Sequence, residues 1–81
     1  MKLQVKLFAR ARDMAGSDRV EVDVPEQGQI RDLRSALAAQ VPHLSGLVPS
    51  LLIAVGMDYA DDATPLTAQS EIACFPPVSG G

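Results

Sequence analysis

Residues 30–41, IRDLRSALAAQV, decide the fold. Ile30, Leu33, Leu37 and Val41 recur at spacings of three and four, so they share one stripe of an α-helix, with Arg31, Asp32 and Arg34 elsewhere on its circumference. Pro42 stops the helix, because proline lacks the amide hydrogen and disfavours helical geometry in the residue before it. A helix that is apolar on one side must be covered there. The chain on either side supplies strands to cover it.

Upstream, KLQVKLF (2–8) alternates strictly, placing Leu3, Val5 and Leu7 on one face and Lys2, Gln4 and Lys6 on the other. That is the period of a half-buried strand. ARARDMAG (9–16) is rich in helix formers and predicts about two turns, closed by Gly16 in the left-handed conformation. RVEVDV (19–24) alternates again, with Val20, Val22 and Val24 inward, before Pro25 and Gly28 break the chain. Downstream, PHLSGLVP (42–49) reads as a connector. LLIAV (51–55), short and continuously apolar, predicts a strand covered on both faces. GMDYADDATPL (56–66) predicts a turn around Asp61 and Asp62 and one short edge strand. EIACF (71–75) predicts the last strand, with Ile72 and Cys74 on one face and Ala73 and Phe75 on the other.

One long helix, a second short one and a mixed sheet of four to five strands make a two-layer α+β domain. A hairpin, a helix crossing the sheet and a final strand returning to its middle describe a β-grasp, the ubiquitin-like architecture. The expected division is a β-grasp domain over residues 1–75 and a flexible C-terminal diglycine tail over residues 76–81.

At 81 residues this is one small domain, burying about 60–65% of the surface its unfolded chain exposes. The apolar fraction of 47% and charged fraction of 21% are those of a globular protein. Cys74 is the single cysteine, so no internal disulfide forms, which suits a reducing compartment. A net charge of −3 argues against nucleic acid, which selects basic surfaces. Lys2, Gln4, Lys6 and Arg10 interrupt the first residues, leaving no signal-peptide core, and LLIAV is too short to cross a bilayer. The expectation is a cytoplasmic protein with neither nucleic acid nor membrane as partner.

The side chains do not assemble an enzyme. One histidine and one cysteine cannot complete a zinc site, and Asp58, Asp61 and Asp62 lack calcium-loop spacing, so a solvated turn accounts for them. His43 and Cys74 are the one nucleophile–base combination on offer. The cysteine alternates into the core and the histidine sits in a connector, which argues against it. No phosphate loop or dinucleotide fingerprint is present.

FPPVSGG (75–81) carries the remaining signal. A free α-carboxyl is ionised at neutral pH and can attack the α-phosphate of ATP to become an acyl adenylate, which a sulfur or amine nucleophile then opens. Gly80 and Gly81 are slim enough for a narrow tunnel, and Pro76 and Pro77 hold the stem extended, lowering the entropy lost on insertion. Val78 and Ser79 complete a tail that spans at most ~20 Å beyond Phe75. A frayed end would also explain two glycines, but not their placement directly after a core strand and a diproline.

LFARARDMAG (7–16), DDATPL (61–66) and FPPVSGG (75–81) together resemble the small subunits of molybdopterin synthase, a β-grasp family similar to the thiamine-pathway sulfur carriers. The resemblance covers essentially the whole chain, and its most specific part is PPVSGG. It implies that a ubiquitin-activating-type enzyme, using ATP and Mg²⁺, adenylates Gly81, and that a sulfurtransferase system converts it to a thiocarboxylate. The tail (Pro76, Pro77, Val78, Ser79, Gly80) then enters the large subunit, in a heterotetramer. There it donates sulfur for the dithiolene of molybdopterin, made from cyclic pyranopterin monophosphate. On this reading the chain binds no cofactor of its own and the active site lies on the large subunit. The chain departs from the family at Gly56, where asparagine is frequent, and at Ala68-Gln69-Ser70-Glu71, where a glycine-aspartate turn is usual.

Strand parity turns Phe8 and Phe75 away from the main core, with Tyr59 the third aromatic. From residues alone they form either a satellite cluster or a docking patch. The resemblance implies docking. Arg10 and Arg12 could meet an acidic partner surface, but ordinary surface charge on a short helix is the simpler account. Three alternatives stay open: a carrier for thiamine or cysteine synthesis, a ubiquitin-like modifier joined to lysines through Gly81, and a plain interaction module.

Overall fold

The alternation along residues 2–7 folds as it predicts. In a computed structural model that describes residues 1–77, β1 (Lys2–Leu7) buries Leu3, Val5 and Leu7 and exposes Lys2, Gln4 and Lys6. A short helix, α1 (Ala9–Ala15), follows and ends at Gly16, whose φ of 76° lets its amide donate to the Arg12 carbonyl. β2 (Arg19–Asp23) returns antiparallel to β1, pairing Leu3 with Val22 and Val5 with Val20.

The long helix, α2 (Ile30–Gln40), buries Ile30, Leu33, Ala36 and Leu37, and Val41 caps it half-buried against the same core. Its start is doubly secured. The Gln29 amide donates to Asp32 Oδ2 at 2.8 Å, closing a capping box, and the amides of Ile30 and Arg31 donate to the carbonyls of Thr64 and Asp62. The helix therefore begins where a loop distant in sequence supplies its acceptors.

β3 (Leu52–Val55), β4 (Asp58–Tyr59) and β5 (Ile72–Phe75) complete one five-stranded sheet in the order β2-β1-β5-β3-β4. β5, last in sequence, lies in the middle: parallel to β1 and antiparallel to β3. This is the β-grasp arrangement. α2 covers one face of the sheet, and that interface is the core, joining Leu3, Val5, Leu7, Val22, Ile53, Ile72 and Cys74 to the helix stripe.

Two expectations need correcting. LLIAV is not covered on both faces: Ile53 is buried, but Leu52 is 43% exposed, on the sheet face opposite α2. A continuous apolar run does not distinguish a strand buried on two sides from one whose outer residues await a partner. The connector at 42–49 is also more than a spacer. It forms single 3₁₀ turns at Pro42–Leu44 and Val48–Ser50, which lower Leu44 and Val48 into the core.

Candidate functional site

The face of the sheet that α2 leaves open carries the candidate site. Because Cβ atoms alternate across a strand, the residues that β1 and β5 do not bury all point here. Phe8 directly follows β1 and Phe75 ends β5, and the parallel register that sets Leu7 beside Cys74 brings their successors side by side. The two rings stack with centroids 4.8 Å apart and planes 11° from parallel. Tyr59 approaches Phe75 edge-on at 6.4 Å, delivered by the two-residue edge strand β4. The three aromatics of the chain thus form one group, held on three separate elements.

Leu52 belongs with them. It stands opposite Phe75 in the β3–β5 register and is exposed, as are Phe8 and Tyr59. Reading LLIAV as doubly covered hid it; the register alone reveals it. The row beside this apolar group runs Lys6, Ala73, Ala54, Tyr59 across four strands, so the small residues Ala73 and Ala54 leave the rings standing proud. A groove of about 580 Å³ continues from Phe8 past Lys6 and Arg19 to the turn at Ala68–Glu71.

Two departures from the family resemblance have local explanations. Gly56 has a φ of 64° in the β3–β4 turn, a left-handed position that glycine and asparagine both tolerate. The Thr67–Ser70 turn is closed by its own side chains: the Thr67 amide donates to Ser70 Oγ at 2.9 Å and the Gln69 amide to Thr67 Oγ1 at 3.3 Å. No glycine is needed there.

Cys74 is fully buried, and that burial pushes its thiol up to about 12, with Arg34 pulling weakly in the other direction. A thiol held neutral is a poor nucleophile. His43 is exposed in the first 3₁₀ turn. Arg12 reaches the neighbouring Asp13 at 3.8 Å in an exposed pair, and Arg10 is exposed on the same helix. Among the described residues no helix is long and apolar enough to cross a membrane.

β5 ends at Phe75, within the aromatic group, so the chain enters the tail from the site itself. Pro76 is half-buried and Pro77 exposed. The tail positions Val78, Ser79, Gly80 and Gly81 lie outside the described residues.

Known proteins agree with this geometry. Residues 5–81 match the ThiS family. The chain is 36% identical over 83 aligned positions to the molybdopterin synthase sulfur carrier subunit of Escherichia coli (strain K12), covering 98% of this chain and 99% of that one. Its fold superposes on the crystal structure of SAMP1 from Haloferax volcanii with a TM-score of 0.85 and 31% identity, covering both chains completely. It shares the fold alone, at TM-score 0.68 and 22% identity over both full chains, with a chain from the Helicobacter pylori 26695 complex of subunits 1 and 2 of molybdopterin-converting factor. The family model matches this β-grasp along nearly its whole length, through the central last strand: the chain belongs to the ThiS family.

Proposed function

We propose that the chain is the sulfur-carrier small subunit of a molybdopterin synthase, acting through the carboxyl group of Gly81. In the first step that carboxylate attacks the α-phosphate of ATP on a ubiquitin-activating-type enzyme, which supplies Mg²⁺, and pyrophosphate leaves. Hydrosulfide released by a sulfurtransferase system then displaces AMP, leaving a thiocarboxylate. The loaded tail passes into the large subunit and supplies one of the two sulfurs of the dithiolene formed from cyclic pyranopterin monophosphate; a second loaded tail supplies the other, and water restores each carboxylate. Each stage takes place on a partner, in the cytoplasm, and the chain serves as co-substrate with no cofactor of its own.

The observation that carries this reading is the position of Phe75. It is both the last residue of the central strand and the centre of the exposed aromatic group, in contact with Phe8 and Tyr59. A partner that covers Phe8, Leu52, Tyr59 and Phe75 receives the tail at the edge of the same contact. Sequence similarity to named sulfur carriers supports the pathway. The Helicobacter pylori complex of subunits 1 and 2, whose likeness extends to the fold, is consistent with a large-subunit partner.

A second reading has its own support: the small archaeal modifier protein 1 of Haloferax volcanii shares this fold. A modifier uses the same adenylate but ends on a lysine. The test is to incubate the chain with its adenylating enzyme, ATP and a sulfur source, then follow ATP–pyrophosphate exchange and intact mass. Exchange of one oxygen for sulfur at the C-terminus, followed by dithiolene formation with the large subunit, is the expected outcome. Lysine-linked conjugates without a thiocarboxylate would favour the modifier. Deleting Gly81 leaves the carboxylate about 3.5 Å short along an extended tail, too far for in-line attack on a positioned phosphate. Full activity of that variant would overturn both.

A further inference from the structure

The five-stranded sheet has two edges. One is β4, only two residues long; the other is β2, with five. A five-residue edge with free backbone groups is a template for another strand. On β2 those groups belong to Arg19, Glu21 and Asp23. The outer pairs fix this: the Val24 amide bonds the Met1 carbonyl and the Leu7 amide bonds the Asp18 carbonyl. Antiparallel alternation then turns Val22 and Val20 toward β1, and Arg19, Glu21 and Asp23 outward.

Two of the three outward positions are already occupied by side chains. The carboxamide of Gln40, the last residue of α2, accepts from the Asp23 amide at 2.9 Å and donates to the Asp23 carbonyl at 3.0 Å. It makes both bonds that a neighbouring strand would make. At the other end, Ser17 Oγ accepts from the Arg19 amide at 3.3 Å and donates to the Arg19 carbonyl at 2.8 Å. Glu21 alone has no such partner among the described residues, and it carries an exposed carboxylate.

The same edge is complementary to itself. A second copy adding antiparallel about Glu21 would set Arg19 opposite Asp23 of its mate at both ends, an attractive pair twice over. At the centre it would set Glu21 against Glu21, which repels, since each carboxylate is tied only by a long, exposed pair at 3.9 Å to Lys2 of its own chain. We infer that β2 is a latent homodimer edge, which Ser17, Gln40 and Glu21 hold closed so that the protein stays a monomer with its open sheet face free. The inference does not depend on the sulfur-carrier reading, since it concerns backbone groups at the edge farthest from β4.

The test reads oligomeric state and amide exchange on the full chain. In the parent, sedimentation equilibrium should give a monomer, and hydrogen exchange should show the Asp23 amide protected and the Glu21 amide open. Equal, fast exchange at both would mean the Gln40 clamp does not form and would overturn the inference. In the triple variant Ser17→Ala, Gln40→Ala, Glu21→Thr the apparent mass should double, with protection appearing at residue 21. Adding Arg19→Asp should return it to monomer, and adding Asp23→Arg as well should restore the dimer, because the end pairs are then reversed. A triple variant that melts cooperatively yet stays monomeric would sink the idea, as would a dimer indifferent to the charge swaps. If the triple variant does not fold, Glu21→Thr alone, which leaves both clamps intact, decides through exchange: it should remain monomeric with Asp23 still protected, and dimerisation would show that the clamps do not close the edge.

Discussion

Phe8 and Phe75 lie ring on ring, 4.8 Å between centroids, although they are far apart in sequence and each ends or follows a different strand. The parallel pairing of β1 with β5 makes this contact, by aligning Leu7 with Cys74 and so their successors with one another. Phe8 remains 41% exposed, so the stack is a platform on the surface.

The pair should be energetically coupled in the free protein. A double-mutant cycle with Phe8→Ala and Phe75→Ala is expected to give a coupling of about 0.5–1.5 kcal/mol in urea unfolding. Phe75→Asp should weaken binding to the proposed large-subunit partner more than it lowers stability, by up to a few kcal/mol of interface energy. Calorimetric titration beside thermal melts separates the two effects. A Phe75→Asp chain that melts early yet binds normally when folded would assign the ring to the core.

Arg34 ties three segments together. Its Nε donates to Asp62 Oδ1 at 2.8 Å and its guanidinium also donates to the Val48 carbonyl at 2.7 Å, joining α2 to the β4 loop and the second 3₁₀ turn. The side chain is only 21% exposed. Arg34→Ala should therefore cost about 1–3 kcal/mol, more than an ordinary surface pair. Arg34→Lys should recover little, because one ammonium cannot reproduce the fork. Chemical denaturation of the two variants checks this.

Gly28 sits where a Cβ would meet the Pro25 carbonyl oxygen and Val24 Cγ1, each at 2.8 Å. The first of these is backbone and cannot swing aside. Gly28→Ala should destabilise by about 1–3 kcal/mol through displacement of the turn that leads into α2. Helix content measured by circular dichroism before the main transition would register an early loss at the α2 start.

Cys74 makes a pH-dependent contribution. Its thiol ionises near 9 in an unfolded chain and at about 12 in the fold, so between those values the unfolded chain releases a proton that the native state keeps. The contribution is fully present below pH 9 and is lost as pH rises through 12. Urea midpoints of the parent should fall more steeply across that window than those of Cys74→Ala. Alkylation of native Cys74 at neutral pH should be slow and limited by unfolding.

The sequence by itself determined the two helices and the strands and, outside LLIAV, their inward faces. Leu3, Val5 and Leu7 at period two, and Ile30, Leu33 and Leu37 at helical spacing, state their own geometry, because the pattern follows from backbone repeat alone. Proline and glycine marked α2's end and α1's left-handed stop for equally local reasons. Tertiary structure decided what those local rules leave open. Nothing in LLIAV states which of its residues lacks a cover, because that depends on which strand lies beside it and which face α2 takes; Leu52 was legible only once its register against Phe75 was known. Capping of α2 by Asp62 and Thr64, and closure of the β2 edge by Gln40, join residues separated by long stretches of chain. The aromatic site follows the same division. Parity turned Phe8 and Phe75 outward, but their stacking required β5 to enter the sheet beside β1, a choice made by packing of the whole core and by no single segment.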